Sequence, residues 1–236
     1  MAVTHFSGPI QYSGKGASGA WAADLSTTID ADVVTLMDDF LGVALDSTND
    51  WTVVKDSGAS AGIGADVLNG VLELTSAATT DDDGASVQGN EVFALAADKY
   101  VWFQTRLKCN DAGQTDICVG LTVNFATNPE AMLTAADRIV FQVDDGNASI
   151  LCKTESGGTE TSTDSLVDLV DDTYVTLGFR AWGTGQVEFF VNRKLVATHT
   201  TNIPTTDLTV AAMSLSGSAT GTRKTSVDYL LVSATR

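Results

Sequence analysis

Tyr174-Val175-Thr176-Leu177-Gly178-Phe179-Arg180-Ala181-Trp182 is followed by Gly183-Thr184-Gly185, then Gln186-Val187-Glu188-Phe189-Phe190-Val191-Asn192, a turn at Arg193-Lys194, and Leu195-Val196-Ala197-Thr198-His199-Thr200. Each run is short and rich in β-branched and aromatic residues, and turn residues separate the runs. This is the signature of strand–turn–strand–turn–strand. Val175, Leu177 and Phe179 share one face of the first strand, and Val187, Phe189 and Val191 share one face of the second. Period-two alternation buries one face and leaves the other more polar. Gly183 and Gly185 suit a tight hairpin.

Working outward, the same grammar recurs. Phe40-Leu41-Gly42, Trp51 to Val54 and Gly70 to Thr75 read as strands, separated by a turn-rich stretch from Asp56 to Asn69. Asp81-Asp82-Asp83-Gly84 is a turn before a strand over Ala85 to Leu95. In Lys99 to Cys109, Tyr100, Trp102, Gln104, Arg106 and Lys108 alternate with Val101, Phe103, Thr105 and Leu107. Ile117 to Phe125 is apolar; Asn128 to Arg138 holds a short helix or a long loop. Ile139 to Val143 and Ala148 to Thr154 flank the turn Asp144-Asp145-Gly146-Asn147. Leu166, Val167, Leu169 and Val170 have helical spacing over a single turn, and strands over Leu208 to Ser216 and Thr225 to Val232 close the chain. About a dozen strands with no long helix indicate an all-β sandwich or jelly roll of antiparallel strands.

The start of the chain differs. Residues 1–23 carry His5, Phe6, Pro9, Ile10, Tyr12 and Trp21 among Gly, Ser and Ala, with Lys15 as the only side-chain charge. Glycines at 14, 16 and 19 oppose a helix. The segment reads as an extended N-terminal arm that docks its apolar side chains on a neighbouring subunit or partner. Residues 24–36 read as a linker or first strand, and 37–236 as the sandwich domain.

The 236 residues hold 13 basic and 30 acidic side chains, a net charge of −17. Such a surface repels phosphate backbones and anionic membranes, so neither nucleic acid nor membrane is an expected partner. No stretch approaches the length of a membrane helix and no secretory signal is visible, which points to synthesis in a cytoplasm. Cys109, Cys118 and Cys152 form no Cys-x-x-Cys pair; buried free thiols are expected.

Chemistry is sparse. The two histidines, His5 and His199, are far apart, and His199 reads as a surface residue at a strand end. Retaining glucanases place Glu-x-Asp-x-x-Glu on one strand, where alternation sets carboxylates on a common face. None of the six glutamates here has an aspartate two positions later, so no catalytic residue is expected. No phosphate-binding glycine loop or nucleophile elbow is present. No cofactor is implied; calcium has weak candidate ligands in Asp81, Asp82, Asp83, Asp144 and Asp145. Sugar stacking needs an exposed aromatic beside polar groups. Trp182, Trp51 and Trp102 are the candidates, each in or beside a strand, where a core role is commoner.

Asp38-Asp39-Phe40 with Trp51, Asn69-Gly70-Val71-Leu72-Glu73-Leu74, Gln186 to Asn192, and Val227-Asp228-Tyr229-Leu230 together resemble the concanavalin A-like (laminin-G-like) jelly roll over residues 37 to 234. Asn192-Arg193 replaces the Asp-Gly usual in that family. Met1-Ala2-Val3-Thr4-His5-Phe6-Ser7-Gly8-Pro9 resembles the opening of tailed-bacteriophage virion proteins. The combined resemblance implies a non-enzymatic capsid decoration or cement protein. It would form a trimer on the capsid surface and bind the major capsid protein through its arm. The alternative is a carbohydrate-binding, lectin-like module of a phage fibre or surface protein.

Overall fold

A computed structural model of the chain describes residues 33–65, 67–77, 80–218 and 221–236. The arm residues His5, Phe6, Pro9, Ile10, Tyr12 and Trp21 lie outside the described residues, as does most of 24–36. Two antiparallel sheets pack face to face as a jelly-roll sandwich, as the strand spacing leads one to expect. The first, sheet A, runs in the order β14 (Lys194–His199), β13 (Gln186–Val191), β12 (Val175–Trp182), β7 (Tyr100–Cys109), β16 (Lys224–Thr235), β4 (Leu72–Thr75), β3 (Ser60–Ile63). Strand β1 (Val33–Asp38) also pairs with β16. Sheet B runs β11 (Thr159–Asp168), β10 (Asn147–Ser156), β9 (Arg138–Asp144), β8 (Thr115–Thr122), β15 (Asp207–Ser216), β5 (Gly84–Gln88), β2 (Thr52–Lys55), with β6 (Phe93–Ala94) beside β15. The described strands number more than a dozen because the short β3 and β6 and the Thr/Ser-rich β11 lack the apolar alternation that marks a strand.

The core lies between the sheets, filled by the alternating apolar residues of the opening stretch. Phe103 and Phe179 stack at 5.1 Å, Phe179 meets Phe189 at 5.9 Å, and Phe189 meets Phe141 of the opposite sheet edge-on at 5.3 Å. Burying rings of this size supplies much of the drive to fold. The Asp38–Trp51 pattern has a local cause: Asp38 accepts hydrogen bonds from the Phe40 amide at 2.7 Å and the Trp51 indole at 2.8 Å. On β8, Gly120 (φ +151°) lies so close to β9 that a Cβ would stand 2.3 Å from the Ile139 carbonyl, which only glycine accommodates.

Local readings change at Phe40-Leu41-Gly42, which follows β1 and lies in no strand, at Leu166 to Val170 and at His199. Leu166 to Val170 is not a helical turn: β11 runs to Asp168, with Leu166 at φ +57° and solvent-exposed while Leu169 is buried. Ser165 and Asp164 side chains bond the neighbouring amides and break the apolar spacing. His199 is buried, not surface. Its ring nitrogens contact the Thr154 and Thr163 hydroxyls at 3.0 Å each, and burial holds its pKa below the usual histidine value. The short helix expected within Asn128 to Arg138 is present as a 3-10 helix, Pro129–Thr134, started by Asn128, whose side chain accepts from the Glu130 amide. The three cysteines are buried free thiols, their pKa values pushed up by burial to about 11 for Cys109 and about 12 for Cys118 and Cys152.

Candidate functional site

Each sheet has an outer face, and the two are built differently. On sheet B the outward residues of β9 are Arg138, Val140, Gln142 and Asp144, alternating with the inward Ile139, Phe141 and Val143. Arg138 is 3% exposed and bonds Glu155 and Glu160 at 2.8 Å each. It also donates to the Met132 carbonyl at 3.0 Å, to the Leu133 carbonyl and to Gln142. Lys153 reaches Glu160 at 3.3 Å. The guanidinium thereby pins the 3-10 helix onto the sheet, and Met132 of that helix packs with Cys118, Val140 and Met213. The middle of this face is closed, and its central carboxylates are occupied with a buried cation.

At one end of sheet B the acidic turns converge. Asp116 on β8 stands opposite Asp144, one position beyond the Ile117–Val143 pair. Its Oδ1 accepts the Asp145 amide at 2.7 Å. Burial pushes the Asp116 carboxyl up to about 6, with Asp145, Asp82 and Asp144 adding repulsion. Asp82 is raised by burial and by Asp81, Glu130, Asp145 and Asp83. The calcium candidates from the two turns therefore do approach one another. Among the described residues, no group of three or more His, Cys, Asp or Glu is arranged to hold a metal ion.

Among the described residues, no helix lies over the outer face of sheet A. Register sets Trp182 beside Tyr100, Arg180 beside Trp102, Gly178 beside Gln104 and Thr176 beside Arg106. Across the other flank, Arg180 faces Glu188 and Gly178 faces Phe190. Of the three tryptophans considered for sugar stacking, Trp51 and Trp102 are buried, whereas Trp182 is 41% exposed. Its position, last on β12 before the Gly183 turn, leaves no further strand residue to cover it. Tyr100 meets the indole edge-on at 5.0 Å, and the Arg180 guanidinium lies 4.5 Å from its centroid. Arg180 bonds Glu188 at 2.6 Å through Nη2 and 3.0 Å through Nε, and the Trp182 indole N–H donates to the same carboxylate oxygen at 3.2 Å. Burial acts to raise the Glu188 carboxyl, but these hydrogen bonds and the Arg180 charge outweigh it and hold it below the usual range. The ring is thus a fixed platform flanked by polar groups. Sequence reading missed Arg180, Glu188 and Tyr100 as partners of Trp182. The signal was present in the alternation of Tyr100, Trp102, Gln104, Arg106 and Lys108, whose aromatic and polar members all face outward.

A family model described as SO2946-like, C-terminal domain, matches residues 68–232. The chain belongs to the SO2946-like family. The matched SO2946-like region takes in every strand of both sheets from β4 to most of β16. Curated protein sequences yield no match. Among solved structures, the chain is similar to a β-glucanase of Bacillus licheniformis (TM-score 0.58, 14% identity, covering 84% of this chain and 97% of that one). It is similar to a glycoside hydrolase family 16 endo-glucanase from Bacteroides ovatus (0.58, 12%, 83% and 98%). A third is the catalytic domain of an endo-1,3-β-glucanase from Thermotoga petrophila (0.56, 14%, 86% and 98%). At such identities the likeness establishes a shared fold.

These findings correct the functional expectation. The reading as a non-enzymatic virion decoration protein joined a short N-terminal motif to the jelly roll and the acidic charge, whereas the three structures named above that share the fold are glucan-acting enzymes. A role in a phage capsid therefore loses its support, while the concanavalin A-like jelly-roll sandwich stands. The exclusion of enzyme activity falls for the same reason. A missing Glu-x-Asp-x-x-Glu pattern removes one arrangement of carboxylates, and folding brings Asp116 and Asp144 together from separate strands, which no linear motif records.

Proposed function

We propose that this chain recognises a neutral polysaccharide, a β-linked glucan, on the outer face of sheet A. The observation that carries the reading is Trp182: an exposed indole held by Tyr100, Arg180 and Glu188. A sugar ring offers an apolar face and a rim of hydroxyls, and it is met by an aromatic surface flanked by hydrogen-bonding groups. Neutrality of the ligand follows from charge. Arg180 is matched by Glu188, Arg106 by Asp228 at 2.7 Å, Lys224 by Glu73 at 3.0 Å and Lys108 by Asp172 at 3.9 Å. These pairs neutralise the cations of β7 and β12, and a net charge of −17 repels an acidic polymer. The glucan-acting proteins that share the fold support the same class of ligand. A glycan array should show retention on β-glucans over alginate, with Trp182→Ala weakening it about tenfold and Trp182→Phe retaining most of it. Retention undiminished in Trp182→Ala removes this site.

A second reading, glycosidic-bond cleavage, is favoured by one observation: the Asp116 carboxyl, raised to about 6, stands opposite Asp144. Glycoside hydrolysis uses two carboxyl groups, one of them kept protonated to act as the acid. Release of reducing ends from mixed-linkage glucan by the wild type, lost in Asp116→Asn, would establish it; no release by the wild type would dismiss it.

A further inference from the structure

At the opposite end of the same face lies a cavity of about 260 Å³, lined by Tyr174, Lys108, Asn110, Lys224 and Glu73 among others. Tyr174 immediately precedes β12 and shares the outward parity of Thr176, Gly178, Arg180 and Trp182. The Arg106 guanidinium lies 4.0 Å from the Tyr174 ring centroid, and the Lys108 ammonium 5.3 Å. As at Trp182, an aromatic ring is held by a cation, here Arg106 of the neighbouring strand β7, and that cation is matched by a carboxylate, here Asp228. Eight residues separate the two rings, about 26 Å along an extended strand. Between them Gly178 carries no side chain, so the track from Trp182 to Tyr174 has a low middle, bordered by Gln104, which is hydrogen-bonded to Tyr229.

We propose that Tyr174 and its cavity form a second sugar-binding platform, and that one straight glucan chain lies along β7 and β12 from Trp182 to Tyr174. The inference rests on the polysaccharide reading and makes it specific. A linear track suits an extended β-1,4-linked chain better than a coiled β-1,3-linked one. Two weak contacts joined by one ligand act together, so affinity rises steeply once the ligand reaches both.

Titration calorimetry of the full chain with cellohexaose and cellobiose tests it. The wild type is expected to bind cellohexaose at least about tenfold tighter than cellobiose. Tyr174→Ala should weaken cellohexaose binding about tenfold and leave cellobiose, held at Trp182, unchanged. Lys108→Ala provides a second variant that leaves the Tyr174 ring in place, and it should weaken cellohexaose in the same sense. If both variants bind cellohexaose as the wild type does while Trp182→Ala does not, the second platform is wrong and the Trp182 site stands. If the wild type binds neither oligosaccharide nor any β-glucan, both readings fall.

Discussion

Trp102 and Trp182 face outward on adjacent strands of one sheet, yet the first is buried and the second is exposed. The difference is position along the strand. Trp102 lies between Arg180 of β12 and Ser233 of β16, whereas Trp182 ends its strand. Alternation, which the sequence displays, assigns both to the same face; only the register of β7 against β12 separates them. His199 shows the converse. It was legible as a strand-end residue, but the β11 hydroxyl that meets its ring, Thr163, is 36 residues away. Asp116 teaches the same lesson in energetic terms. Its folded pKa is raised above the ordinary carboxylate value, so the native state gains by keeping it protonated. That contribution is complete below about pH 4 and is lost as pH rises through about 6. Asp116→Asn keeps an oxygen for the Asp145 amide and removes the charge. It should stabilise the protein by on the order of 1–2 kcal/mol at pH 7.5 and by nothing measurable at pH 3.5, read by urea denaturation. Asn192 and Arg193 both hold positive φ, 49° and 68°, as a type I′ hairpin turn demands. Arginine is strained there, so Arg193→Gly should raise stability by about 0.5–1 kcal/mol in a thermal melt.

At the scale of elements, strands with strict alternation were readable and the covering pieces were not. The runs in β7, β12, β13 and β16 display their periodicity because one face meets the core and the other meets water. Strands β8, β9 and β15 are buried on nearly every residue, since the core lies on one side and the 3-10 helix on the other. Their apolar content therefore indicates a strand without saying what covers it. The cover depends on Arg138, whose partners come from β10, β11 and the 3-10 helix. A buried cation of this kind is costly to remove alone, because Glu155 would remain buried and unpaired. Arg138→Ala should destabilise by about 3–5 kcal/mol, whereas Lys224→Ala, whose ion pair is exposed, should cost less than about 1 kcal/mol. Comparable losses from the two would show that the clamp does not hold the helix.

Across the whole molecule the two outer faces divide the work. Sheet B turns inward, with a helix over its centre and acidic turns at one end. Sheet A keeps a charge-balanced face of aromatic rings on a protein that is otherwise strongly acidic. The class of fold was legible because hydrophobic alternation is local. The proposed site was not, because it draws Tyr100, Trp182 and Glu188 from three strands, which no linear motif joins. The balance of charge also separates ligand classes, since binding of a neutral glucan involves no counterion release and should vary little with salt. Affinity electrophoresis through a native gel containing mixed-linkage β-glucan probes the central claim most directly. Wild type should be retarded relative to a glucan-free gel, equally at low and at moderate salt, and Trp182→Ala should run at its unretarded mobility. Unretarded wild type, or equal retardation of the two proteins, would contradict recognition at this face.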